Sequence, residues 1–316
     1  MSTISEYYRE AELAFGAYAN LTFGMTPDNY IKALTDAGMP VVQADGFSTS
    51  WRVVDQYDGE VSETYIDEFG QEHTFLNPTG LSTTVFESVA DGKRYLAIRG
   101  TESSFPEWIT DWATNIIDIG ILGTAEHQAQ YDALSRQVRK WLDDGILQPG
   151  FSVAGHSLGG FLATNLALEY AGDVSDTYLY NAPGVAGLAS GLLLERIANA
   201  LMPGKPYTLP PLESIHNVVA TSDPVSEVGV SVAPPLTIQI ESNINPIYNH
   251  SIATLTDSLA VYDLFARVDP SVSVETVGTI LNAAANENAP TLETALAMLG
   301  ALYGRDYPAG ETSRDT

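Results

Sequence analysis

The chain has 316 residues, 45% of them hydrophobic and 9% aromatic, enough apolar side chain for one large core or two smaller ones and unlike a disordered protein. Fourteen basic residues stand against 40 acidic ones, a formal charge of −26 that repels phosphate backbones and anionic headgroups and excludes nucleic acid as a favoured partner. The absence of cysteine removes disulfides, thiolate catalysis and cysteine-based zinc sites together.

Residues 1–21 carry Glu6, Arg9, Glu10 and Glu12 without an uninterrupted apolar run, so they do not read as a signal peptide. No stretch of 18 apolar residues offers a membrane span. The expected locations are therefore outside the cell by another export route, or the cytoplasm, with a place inside a larger protein also open. Thr3-x-x-Glu6 predicts a capping box ahead of a helix with Tyr8, Ala11, Phe15 and Tyr18 on a core-facing stripe. Strand patterns follow at 51–54, 84–89 and 93–98, and the Asp91-Gly92 turn makes a hairpin of the last two. Between them Asp55, Asp58, Glu60, Glu63, Asp67 and Glu68 read as a solvated acidic loop. They lack EF-hand spacing, so a structural calcium ion is the minor reading and no cofactor the main one.

The 93–98 strand ends in Arg99-Gly100-Thr101. A helix follows with Tyr131, Leu134, Val138, Trp141 and Leu142 on one face, closed by Asp144-Gly145. A strand at 151–154 enters Gly155-His156-Ser157-Leu158-Gly159, a helix-like run at 158–171 leaves it, and a strand at 177–180 ends in Asn181-Ala182-Pro183-Gly184. After a leucine-rich stretch, 184–211, a buried strand at 216–221 ends in Ser222-Asp223-Pro224. A short strand at 237–240 precedes Asn249-His250 and a helix bearing Ile252, Leu255, Leu259 and Tyr262; helical patterns at 272–285 and 291–303 and a loose tail at 307–316 follow. The alternation predicts an α/β fold, a mostly parallel central sheet with helices on both faces. We expect a catalytic domain over 1–270 and a helical C-terminal extension over 271–316.

Gly155-His156-Ser157-Leu158-Gly159 matches the G-x-S-x-G nucleophile elbow. A serine thrust out of a sharp strand-to-helix turn needs Gly155 and Gly159 as near neighbours without side chains, and the helix start behind it offers N–H groups to an oxyanion. A serine hydroxyl needs an imidazole to take its proton, and the imidazole needs an anion to hold its tautomer. In α/β-hydrolases, where this elbow is found, the order along the chain is serine, acid, histidine, and only His216 and His250 lie after Ser157. His216 opens a strand, whereas His250 sits in a loop at the mouth of a helix, so His250 is the candidate base, with helix capping as its structural alternative. Asp223, just past a strand, is the candidate acid; Glu213 lies at the wrong strand end, and Glu227 is the fallback. His156 is read as packing and hydrogen bonding within the elbow. The oxyanion hole is assigned to the backbone N–H of Leu158 and to Thr101, after Gly100 at the end of an earlier strand.

Tyr95-Leu96-Ala97-Ile98-Arg99-Gly100-Thr101 with Trp108 and Asp111, then Val153-Ala154-Gly155-His156-Ser157-Leu158-Gly159-Gly160, resembles the class 3 lipase family of α/β-hydrolases, its bacterial secreted-lipase-like members above all. The likeness is dense from 95 to 184 and thins toward Asp223 and His250. It implies a triacylglycerol lipase, phospholipase or carboxylesterase, with Ser157, Asp223 and His250 as triad and Thr101 and Leu158 as oxyanion donors. The family often shows a Pro-Arg pair after the strand that follows the elbow, and Asn181-Ala182-Pro183-Gly184 lacks the arginine. The resemblance puts a lid within 102–122, around Trp108, Ile116, Ile117 and Ile119, whereas leucine content alone points to 184–211. Contact with a lipid interface is expected to be transient, since the negative charge favours neutral interfaces or soluble esters. The triad does not name the leaving group, so a thioesterase, a polyester hydrolase or a non-catalytic hydrolase-like binding domain are the alternatives.

Overall fold

The computed structural model describes residues 3–58, 62–66, 72–76, 81–100, 125–184, 207–227, 231–241 and 245–284. Helix α1 (Ile4–Gly16) opens with the expected capping box. The Thr3 hydroxyl accepts from the Glu6 N–H, and the Glu6 carboxylate accepts from the Thr3 N–H at 2.6 Å. Helices α2 (Pro27–Asp36) and α3 (Val41–Ser50) follow, neither of them anticipated. Each is ten residues long and buries only two side chains, Tyr30 and Leu34 in one and Ala44 and Phe47 in the other, too few to print a periodic stripe.

The chain then enters β1 (Trp51–Asp58), which pairs antiparallel with β4 (Ser82–Ser88); β4 pairs antiparallel with β5 (Arg94–Ile98) across the Asp91-Gly92 turn. Of the acidic residues read as a solvated loop, Asp55, Asp58 and Glu63 lie in strands, and Glu60, Asp67 and Glu68 lie outside the described residues. Asp55 and Asp58 belong to β1, and β2 (Ser62–Ile66) and β3 (Glu72–Leu76) form an antiparallel hairpin of their own. Strand-forming residues, Thr64-Tyr65-Ile66 in one strand and Thr74-Phe75-Leu76 in the other, outweigh the acidic ones there. Asp55 also holds the core in place, since its carboxylate accepts the indole N–H of fully buried Trp141 at 2.7 Å.

From β5 on, the sheet is parallel. Helix α4 (Ala125–Asp143) leads to β6 (Phe151–His156), α5 (Leu158–Glu169) to β7 (Val174–Tyr180), and β8 (Ile215–Ala220) and β9 (Pro235–Ile238) complete it. The order is β1-β4-β5-β6-β7-β8-β9, with every pair from β5 to β9 parallel. Strands added in one direction by right-handed crossovers put their helices on one face, where α4 and α5 pack through Tyr131, Leu134, Val138, Trp141, Leu162 and Leu166. The opposite face is covered from the two ends of the chain. There α1 lies beside α7 (Ile252–Val268), which follows the short helix α6 (Pro246–His250), and α8 (Val274–Ala284) adds Val277 and Leu281 to the same core. Side chains along β5 alternate as a doubly covered strand requires: Tyr95 and Ala97 join the α1 core, Leu96 and Ile98 the α4 core. Among the described residues no helix is long and apolar enough to cross a membrane.

Candidate active site

Parallel strands present their C-terminal ends along one rim, the place where open α/β sheets hold ligands. Ser157, Asp223 and His250 converge on that rim. β6 runs into Ser157 at φ 56° and ψ −128°, a left-handed turn that aims the side chain out of the sheet before α5 begins. The flanking glycines are required by contact. A Cβ on Gly155 would stand 2.3 Å from the Gly159 carbonyl oxygen, and one on Gly159 would stand 2.3 Å from that of Ile98.

Ser157, His250 and Asp223 form one hydrogen-bonded chain across 93 and 27 residues of sequence separation. His250 Nε2 lies 2.8 Å from Ser157 Oγ, and His250 Nδ1 lies 2.8 Å from Asp223 Oδ1. Asp223 acts as acceptor throughout, taking the backbone N–H of Ser226 at 2.8 Å and of Val225 at 3.3 Å. The His250 proton therefore sits on Nδ1, leaving Nε2 to accept the serine hydroxyl. Asp223 and His250 are fully buried and Ser157 is 4% exposed. His250 ends the short helix α6 instead of lying in a loop, and Ser251, not His250, caps α7.

The alternative base and acids lie elsewhere. His216, near the start of β8, is hydrogen-bonded to Asp176 at 3.0 Å and stacked on Tyr178, at the far end of the strand from Asp223. Glu213 precedes β8 in a 3-10 turn (Leu212–Ser214), and Glu227 is exposed beyond the Asp223 loop. Leu158 is the first residue of α5, where a backbone N–H has no acceptor within the helix. Gly100 runs close over the serine: a Cβ there would lie 3.3 Å from Ser157 Cβ and 3.0 Å from the His156 carbonyl oxygen. Thr101, the next residue, lies outside the described residues, as do the 102–122 lid candidate and 185–206 of the second.

His156 reaches further than the elbow. Its ring sits 4.8 Å from that of His250, with Nε2 2.8 Å from the His250 carbonyl oxygen and Nδ1 2.7 Å from the Tyr18 hydroxyl at the end of α1. Burial, with the neighbouring His250 second, pushes the His156 imidazole down to about 3, so it is neutral in ordinary buffers. Sequence reasoning misses Tyr18 as a site neighbour and Asn181 altogether. Asn181 is fully buried at φ 46°, and its amide donates to the His250 carbonyl at 3.1 Å. The only sequence sign of it is an asparagine directly after the strand next to the elbow, a position that tolerates left-handed backbone.

Ser157 lies against an imidazole oriented by a carboxylate, beside the open N-terminus of a helix. Such an arrangement can take up a proton from the serine, return it to a leaving group, and stabilise negative charge formed in front of Leu158.

No family model matches the chain, and no curated protein does. Solved structures similar to it include Lip2 lipase from Yarrowia lipolytica, 17% identical with a TM-score of 0.43, covering 78% of this chain and 82% of that one. A prolyl endopeptidase structure is 14% identical with a TM-score of 0.32, covering 70% of this chain and 39% of its own. Carboxyl esterase 2 from Tuber melanosporum is 12% identical with a TM-score of 0.30, covering 68% and 85%. The parallel run β5 to β9, helices on both faces and the strained serine between β6 and α5 give the chain an α/β-hydrolase fold.

Proposed function

We propose that the protein is a serine hydrolase of carboxylic esters, a lipase or carboxylesterase of the class 3 lipase type. The observation that carries this reading is the unbroken Asp223–His250–Ser157 hydrogen-bond chain, both links 2.8 Å, ending on a serine in a strained elbow. Ser157 Oγ attacks the ester carbonyl while His250 Nε2 takes its proton. The oxyanion is held by the Leu158 N–H and by Thr101, and the tetrahedral intermediate collapses as His250 protonates the departing alcohol. Water, deprotonated by His250, then attacks the acyl-serine and releases the carboxylic acid. No step needs a metal or a cofactor. The net charge of −26 favours uncharged esters, soluble or at a neutral interface, over anionic bilayers.

The test is a panel of p-nitrophenyl esters from acetyl to palmitoyl, run beside Ser157→Ala. Wild-type turnover with a variant at background supports the reading, and the preferred chain length separates esterase from lipase. Equal rates for the two proteins across the panel would sink it.

A further inference from the structure

Two side-chain donors meet on one backbone oxygen, the carbonyl of His250. Asn181 Nδ2 reaches it at 3.1 Å from the end of β7, and His156 Nε2 at 2.8 Å from the end of β6. A carbonyl oxygen only accepts, so the His156 proton sits on Nε2 and Nδ1 is left as an acceptor. The Tyr18 hydroxyl must then donate to Nδ1, at 2.7 Å. The result is a directed, uncharged chain from Tyr18 through His156 to the main chain of His250. Asn181 has a second attachment: its Oδ1 accepts the Ala220 N–H at 2.8 Å, three residues before Asp223. A single side chain thus ties the strand that carries the acid to the backbone of the base.

A buried carbonyl needs one donor to be satisfied. Two, arriving from adjacent strand ends, fix its place in two directions. His250 has particular need of this, because it ends a helix of five residues, and so short a helix has little stability of its own. We infer that His156 and Asn181, with Tyr18 behind His156, are positioning residues that clamp the backbone of His250 and so set its imidazole between Ser157 and Asp223. Among the described residues, neither His156 nor Asn181 hydrogen-bonds to the Ser157 hydroxyl or to the His250 ring nitrogens. The inference rests on the proposed serine-hydrolase reading for its consequence in catalysis, though not for its consequence in geometry.

The test uses Asn181→Gly, which keeps the left-handed backbone and removes the amide, and His156→Phe, which keeps a ring and removes both nitrogens. His156→Gln, with an amide N–H, is the conservative rescue. Two readouts are taken on variants shown to be folded by circular dichroism: kcat and KM on the preferred p-nitrophenyl ester, and the downfield proton NMR signal of His250 Nδ1–H. A misplacement of about 1 Å predicts a loss of about 100-fold in kcat for each of the first two variants, with KM changed by less than about twofold. The His250 signal broadens or disappears in both, survives in Ser157→Ala, and returns together with most of kcat in His156→Gln. Folded variants with kcat within about twofold of wild type and an unchanged His250 signal would overturn the inference. So would a loss confined to KM. If wild type hydrolyses no ester, the hydrolase reading fails while the NMR signal still decides the clamp: its loss in Asn181→Gly supports the clamp and its persistence there refutes it. If His156→Phe does not fold, Asn181→Gly alone decides in the same way.

Discussion

Glu10 should make the protein lose stability as the pH rises toward neutrality. It lies on α1, fully buried against the sheet. Its Oε1 is 3.0 Å from Arg9 Nη2, while its Oε2 is buried with no hydrogen-bond partner among the described residues. Burial raises its carboxyl from 4.5 to about 7; Arg9 opposes the rise, and Asp176 and Glu6 add to it. The folded state thus holds a proton that the unfolded state releases. The stability this confers is fully present below about 4.5 and is lost as the pH climbs to about 7. At about 1.4 kcal/mol for each pH unit the whole loss is about 3 kcal/mol, of which about 2.5 kcal/mol falls between pH 5 and pH 8. Glu10→Gln is neutral at every pH and escapes the loss. The assay is equilibrium urea unfolding of both proteins at several pH values across that interval, read as the difference in unfolding free energy, since all other titrating groups cancel between them. The difference should move in favour of the variant by about 2.5 kcal/mol from pH 5 to pH 8. A flat difference, or one moving toward wild type, would instead place Glu10 as an ionised partner of Arg9 throughout.

Asp223→Asn keeps the shape of the acid but sets an uncharged amide against His250 Nδ1, so kcat on the preferred ester should fall by about 10⁴ with the thermal midpoint little changed; a fall under about tenfold would remove Asp223 from its role. Gly155→Ala pushes a methyl group to 2.3 Å from the Gly159 carbonyl oxygen and 2.7 Å from the Gly160 nitrogen, backbone atoms that cannot swing aside as a side chain would. We expect a cost of about 3 kcal/mol or more in thermal or urea unfolding, and a stability equal to wild type would show that the elbow has room to spare.

The features legible in the sequence are those written within a few neighbouring residues. The elbow glycines are demanded by the turn they flank, Asp223 follows its strand directly, and strand–helix alternation from 93 to 220 dictates a parallel sheet. His250 is reachable because only two histidines follow Ser157, and strand position distinguishes them. What is not legible depends on which strands lie side by side. Asn181 matters because β7 sits between β6 and β8, and Tyr18 because α1 crosses the sheet next to a residue 138 positions away. Asp55 misleads for the same reason: a carboxylate in an acidic run looks solvated until Trp141 presents an indole N–H to it. Helices α2 and α3 escape because two anchors in ten residues leave no periodicity to read.

Backbone conformation shows how the sheet itself builds the rim. Among the described residues, the non-glycine positions with positive φ are Ser157, Asn181 and Ser222, at 56°, 46° and 61°. They follow the ends of β6, β7 and β8, three adjacent parallel strands, and the last immediately precedes Asp223. Each such conformation costs about 1–3 kcal/mol unless the surroundings enforce it. Here the enforcement comes from the next strand over. The Ser157 N–H donates to the Tyr180 carbonyl of β7, the Asn181 N–H to the Val218 carbonyl of β8, and the Thr221 N–H, one residue before Ser222, to the Ile238 carbonyl of β9, at 2.9, 3.0 and 2.9 Å. Every bend is thus fastened to the neighbour that does not yet bend, so strain at the serine is held by β7, strain at the asparagine by β8, and strain before the acid by β9. A sheet needs no such series to be stable, because its strands could end in relaxed turns. The three bends set Ser157, Asn181 and, through Ser222, Asp223 where they hydrogen-bond to His250, and straightening any one would withdraw that side chain from it.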